Sequence, residues 1–210
     1  EVYIDSLLFF ENSMDAFRFS ESRYINSLID YEEFVDNKIR FQRTEVDPNN
    51  QLPIYGKVEN RGIYIPTDTL VHPVKIIVKD VFGNVSELNF HIWHKLQSIE
   101  VKTIDAPPDP SQFFSWQNSN FYEDDGFKLT STEGAFYRDF IFTHSGLPGD
   151  DAIYGGIHQV HRETTPVHKY LQLFIKADDL PEDLRDRALI VKLDKNGEYA
   201  SAGGNWKEGF

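Results

Sequence analysis

The chain has 210 residues, 40% of them hydrophobic and 14% aromatic, which is enough apolar surface to bury a core in one large or two small domains. Its 34 acidic against 21 basic residues leave a formal net charge of -13, a field that repels phosphate backbones and anionic lipid, so nucleic acid is not an expected partner. With no cysteine there is neither a disulfide framework nor a thiolate metal cage, and no apolar run approaches the ~18 residues of a membrane span, so no membrane insertion is expected.

From the N-terminus, DSLLFFEN (5–12) reads as a strand. SESRYINSLIDYEEFVDN (20–37) opens with the capping type Ser20 and sets Tyr24, Ile25, Leu28 and Ile29 at helix-like spacing, which predicts one short helix. KIRFQRTEV (38–46) reads as a second strand. In HPVKIIVKDVFGNVSELNFHIWHK (72–95), Val74, Ile76 and Val78 alternate with other positions, Gly83 and Asn84 tolerate positive φ, and Leu88, Phe90 and Ile92 resume the alternation. That pattern predicts a β-hairpin whose apolar face lines a core.

After Lys95 the cluster Pro107, Pro108, Pro110 marks backbone that cannot continue a helix, and the domain boundary is expected near residues 96 to 110. Short strand signals follow in GFKLTST (126–132), YRDFIFTHS (137–145), YLQLFIKA (170–177), ALIVKLD (188–194) and EYASAGG (198–204). Asn196-Gly197 is a strong hairpin turn signal. DDLPEDLRDRA (178–188) is the one helical interruption, with Asp179 as a candidate cap and Pro181 in the first turn. Regularly spaced short strands in both halves predict an all-β chain of two tandem β-sandwich modules with one or two short helices. The first, Ig-like, covers residues 1–96; a linker covers 97–104; a second sandwich covers 105–210.

GGIHQVHRETTPVHKY (155–170) raises the question of a zinc hydrolase. Zinc needs three or four ligands converging at ~2.0–2.2 Å. The flanking Gly155, Gly156, Thr164, Thr165 and Pro166 disfavour a helix, and in an extended backbone His158 and His161 would point to opposite faces. His168 would then sit apart, in a strand beyond Pro166. The H-E-x-x-H pattern is missing because position 159 is Gln. Surface or edge-strand histidines are the plainer reading, and no metal ligand is assigned. His91 and His94 diverge by the same argument. GDDAIYGG (149–156) has glycines without a P-loop lysine or a strand-turn-helix context, and Glu32, Glu33, Glu123, Asp124 and Asp125 read as solvated faces.

FFSWQNSNFYEDDGF (113–127) holds the remaining candidate. Phe114, Trp116 and Tyr122 would make a stacking platform for a sugar ring or peptide, while the rival reading has these rings filling the core of the second module.

Several stretches together resemble the region that follows the catalytic domain in lysostaphin-type zinc peptidoglycan endopeptidases of Bacteroidota. They are FSESRYINSLIDYEE, IYGKVENRGIY, VKIIVKDVFGNVSELNFHI, EGAFYRD, TTPVHKYLQLFIK, LPEDLRDRALIVKLD and GGNWKEG, spread in order over nearly the whole chain. GFKLTSTEGAFYRD also resembles the strand-turn-strand segment of ZU5-type β-sandwiches. Such peptidases bind zinc through H-x-x-x-D and a later H-x-H, and no histidine here satisfies either pattern. The resemblance therefore implies an accessory, non-catalytic region with no catalytic residue and no cofactor of its own, zinc belonging to a catalytic domain outside this chain. It implies export to the periplasm or cell envelope, and an adjacent peptidase domain or envelope protein as partner, with peptidoglycan a further candidate. It also implies that His168 lies in a structural strand. Because residue 1 is Glu and EVYIDSLLFF leaves room for only part of an opening strand, the chain reads as a fragment cut inside both modules, with an open sheet edge near a terminus.

Overall fold

The structure is a computed structural model that describes residues 1–16, 18–95, 111–149, 153–177, 180–194 and 196–207. The fold is all-β, built from antiparallel sheets joined by short helices, and divides into two compact units, Glu1–Ala106 and Pro107–Phe210. The expected linker 97–104, the proline cluster Pro107, Pro108, Pro110 and the candidate cap Asp179 lie outside the described residues. Among the described residues no helix is long and apolar enough to cross a membrane.

The first unit contains β1 (Val2–Ile4), β2 (Leu7–Asn12), β3 (Tyr55–Val58), β4 (Val71–Lys79) and β5 (Val85–Trp93). They form one five-stranded sheet in the order β3-β2-β1-β4-β5. β1 and β2 are joined by Asp5 and Ser6 alone, both left-handed with φ 51° and 66°. Two successive positive φ values give the turn twist that matches paired strands. Between β2 and β3 the chain makes a 3-10 helix (Phe19–Ser27) and α1 (Tyr31–Asn37) rather than one helix. Ser20 is not the cap. The backbone N–H of Arg18 donates to Glu21, and α1 is capped by Asp30, which accepts from the Glu33 N–H at 3.1 Å. Residues 38–46 are not a strand either. Their backbone makes scattered bonds instead of a ladder, Asp30 N–H to Phe41 O and Arg43 N–H to Leu28 O beside the link between the two helices and Val46 N–H to Arg61 O beyond it, and Ile39 and Phe41 are exposed.

The expected β4–β5 hairpin forms, with Val74 opposite Phe90 and Ile76 opposite Leu88, and Asp80 ties its turn by accepting from the Phe82 and Asn84 N–H groups. Its expected core face is only partly covered. Val74 is buried, Ile76 and Ile92 are half-buried, and Val78, Leu88 and Phe90 are exposed. The described residues of this unit form a single sheet, so no second sheet of the unit covers that face. Burial in this unit centres instead on Ile4, Phe10 and Val74, with a second cluster of Leu28, Leu52 and Ile54 beneath the helices.

The second unit contains β6 (Ser111–Phe114), β7 (Asn120–Asp124), β8 (Phe127–Ser131), β9 (Phe140–Leu147), β10 (Ile157–Val160), β11 (Gln172–Ile175), β12 (Ile190–Leu193) and β13 (Tyr199–Gly203). Two three-stranded sheets, β10-β9-β6 and β11-β8-β7, supply the alternate residues Phe114, Tyr122, Phe127, Leu129 and Phe142 to one core, which Ala135 and Phe136 of the segment between β8 and β9 complete. A separate two-stranded sheet, β12-β13, turns at Asn196-Gly197, where Gly197 has φ 81° and Asp194 accepts from the Asn196 and Glu198 N–H groups. Pro181 precedes a 3-10 helix (Glu182–Arg187).

Candidate functional site

The histidines land in places that spacing alone misjudges. In β10 His158 and Val160 share the inward face, Val160 lying opposite His144 and packing against the core. Continued alternation would turn His161 outward. His161 instead leaves the strand with φ 54°, which swings its ring back over Phe140 and Phe142, with centroids at 4.8 and 5.8 Å. His158 and His161 therefore face the same side of the sheet, contrary to the expectation that they diverge. His168 lies in a bend before β11 rather than in a strand; its N–H donates to Ala135 O and its ring meets Tyr137 edge-on.

His158 joins a line of groups that the sequence did not announce. His144, buried on β9, places Nε2 3.0 Å from His158 Nδ1, and Asp124 Oδ2 stands 3.5 Å from His144 Nδ1. The two imidazoles are nearly parallel, and Phe127 stacks on His144 at 4.3 Å and on His158 at 5.1 Å. Burial pushes the pKa of both histidines down; at His144 Asp124 opposes the shift, and at His158 the neighbouring His144 adds to it. Asp124 is held low chiefly by the Asp125 N–H. An Asp-His-His line can hand on a proton in principle. At its far end Gly156 lies beside His158 Nε2, where a β-carbon would stand 2.9 Å from that atom, and His158 itself is half-buried. Both rings pack against Phe127. Among the described residues no group of three or more His, Asp or Glu is placed to hold a metal ion.

The aromatic candidates are also packed. Phe114 has no exposed surface and stacks on Phe142 at 4.5 Å, Tyr122 is 5% exposed, and Trp116 lies half-buried against the same core. Phe114 and Tyr122 thus offer no free ring face to a sugar or peptide, which corrects their reading as ligand contacts. β6 and β7 alternate in the ordinary way, so the rings that face out are their neighbours Phe113 and Phe121.

A cavity of about 810 Å³ opens elsewhere on the second unit. It is bounded by the segment at Tyr154, by β11, by the 3-10 helix Glu182–Arg187, by β12 and by the approach to Trp206. Its walls are apolar side chains such as Phe174, Leu184 and Val191, and the charged side chains among them are Arg187 and Lys207. Sequence reasoning missed it because its walls come from four separated stretches, none of which carries a motif. The alternation Phe140, Phe142, His144 is legible in the sequence, but His144 stands 14 residues from His158 and meets it only through the pairing of β9 with β10.

Residues 111–210 match the family model of the Zu5-like domain, which covers the described strands of the second unit. No curated protein and no solved structure matches the chain.

Proposed function

We propose that this chain is a non-catalytic accessory region whose second, Zu5-like unit contacts a partner. The observation that carries the reading is the division of labour within that unit. Groups capable of acid–base work, His144, His158 and His161, are stacked against Phe127, Phe140 and Phe142, while the open cavity is walled by apolar side chains. Apolar concavities of this size on a small domain are ordinarily binding sites. The resemblance of seven ordered stretches to the region behind the catalytic domain of lysostaphin-type zinc endopeptidases supports a specific setting, the cell envelope, beside a peptidoglycan-cleaving domain that this region positions. Zinc chemistry then belongs to that neighbouring domain. The reading is tested by incubating the purified chain with insoluble peptidoglycan and equimolar Zn²⁺. No soluble fragments above a zinc blank are expected, and their release would overturn it.

A further inference from the structure

The cavity on the second unit has an unusual wall. All four residues of β11, Gln172, Leu173, Phe174 and Ile175, border it. Successive side chains of a strand point to opposite faces, so a strand touches a cavity with every residue only when it presents its edge. β11 is indeed the outer strand of its sheet. The pairing phase says which groups that edge offers. The Lys176 N–H donates to Gly126 O, which makes Phe174 opposite Lys128 and Gln172 opposite Thr130 the hydrogen-bonded pairs. The amides and carbonyls of Leu173 and Ile175 then point away from β8, and no described strand pairs with them.

A second edge lines the same cavity. In the β12-β13 hairpin the Asp194 N–H donates to Glu198 O, so Lys192 opposite Ala200 is the bonded pair and Val191 turns its backbone groups away from β13. Val191 borders the cavity, and β12 belongs to a sheet of only two strands. Two strand edges that pair with no further strand among the described residues thus border one apolar space. Such edges recruit another strand unless something blunts them. The charge is selective as well: Arg187 and Lys207 are the charged lining side chains in a chain with a formal net charge of -13, and neither makes an ion pair among the described residues.

Resting on the reading of the second unit as partner-contacting, we propose that this groove takes an extended, acidic peptide segment of a partner polypeptide, which adds as a strand to the free edge of β11 between it and β12. Backbone groups of Leu173 and Ile175 would hold its main chain, alternate apolar side chains would fill the cavity, and carboxylates would meet Arg187 and Lys207. This is β-augmentation with a charge filter.

The test uses a fluorescein-labelled heptapeptide alternating valine with glutamate, a version with lysine for glutamate, and a version N-methylated at its valines to remove edge donors. Fluorescence anisotropy against the whole chain should show saturable binding of the acidic peptide, weakened at least ~10-fold in each of the other two, the loss on N-methylation matching one or two hydrogen bonds at 1.4 kcal/mol per decade. Arg187→Glu should reverse the charge preference, and Lys207→Glu should do the same in case the first variant disturbs its short helix. Equal binding of acidic and N-methylated peptides, or no saturable binding of the acidic peptide at ~1 mM, a Kd worth only ~4 kcal/mol, overturns the proposal. Failure here leaves the accessory reading intact, whereas peptidoglycan cleavage by the chain would sink that reading without touching the groove.

Discussion

Phe114→Ala separates a core role for the aromatic cluster from a ligand platform. The ring has no exposed surface, stacks on Phe142 at 4.5 Å and 7°, and meets Phe140 and Phe136 at 5.7 and 5.9 Å. Burying a Phe removes ~150–250 Å² from water, which at ~25 cal/mol per Å² is at most ~4–6 kcal/mol for the whole side chain. Truncations of buried Phe cost ~3–5 kcal/mol once the cavity left behind is included. In a unit of this size each kcal/mol moves the midpoint by ~4–8 °C, so the melting transition of the second unit should fall by more than ~12 °C. Phe113, its neighbour on the same strand, is 59% exposed, and Phe113→Ala should stay within ~1 kcal/mol. Differential scanning calorimetry of the two variants decides the matter. If Phe114→Ala costs no more than Phe113→Ala, the packing described for this unit is wrong.

The two units should respond to pH with opposite sign. In the first, His72 is gripped by Asp5 at 2.7 Å and Asp68 at 3.0 Å, and the hydrogen bond that its ring donates to Asp5 leads in raising its pKa. A raised value means stabilisation fully present below the unfolded pKa and lost as pH rises through the folded one, so the urea midpoint of this unit should fall above about pH 6.5, and His72→Gln should flatten that slope. In the second, burial lowers the pKa of His144 and His158, so stability should be present above about pH 6.5 and decline as pH falls below it; an unchanged midpoint from pH 7 to 5 would count against the stacked neutral pair. Gly62→Ala should cost more than ~2 kcal/mol, because Gly62 has φ 79° and a β-carbon there would lie 1.8 Å from Thr44 O. Gly83→Ala, with φ 84° but open space around it, should cost only ~1–2 kcal/mol of backbone strain in the same denaturation assay.

The strands were legible wherever a local cause was present. Alternation at Val74, Ile76, Leu88 and Phe90 predicted the β4–β5 hairpin, and Asn196-Gly197 predicted its counterpart in β12 and β13. What alternation does not encode is whether anything covers the face it defines, and Val78 and Leu88 are exposed in a unit whose described strands form a single sheet. His161 shows a second limit. One left-handed residue at the end of β10 reverses the side-chain direction that a period of two implies, and a histidine carries no mark of that φ. The cavity was illegible for a third reason, since β11, Leu184, Val191 and Trp206 meet only through tertiary packing.

The central claim is that this chain serves by contact rather than by catalysis, and calorimetric titration of the whole chain with the polypeptide encoded immediately upstream of it tests that most directly. The upstream sequence should carry an H-x-x-x-D element and a later H-x-H element, and the titration should give saturable one-to-one binding that Arg187→Glu weakens at least ~10-fold, or ~1.4 kcal/mol. An upstream sequence without those elements, or no heat of binding at ~100 µM of each partner, a concentration at which contacts worth ~6 kcal/mol are populated, would contradict the account.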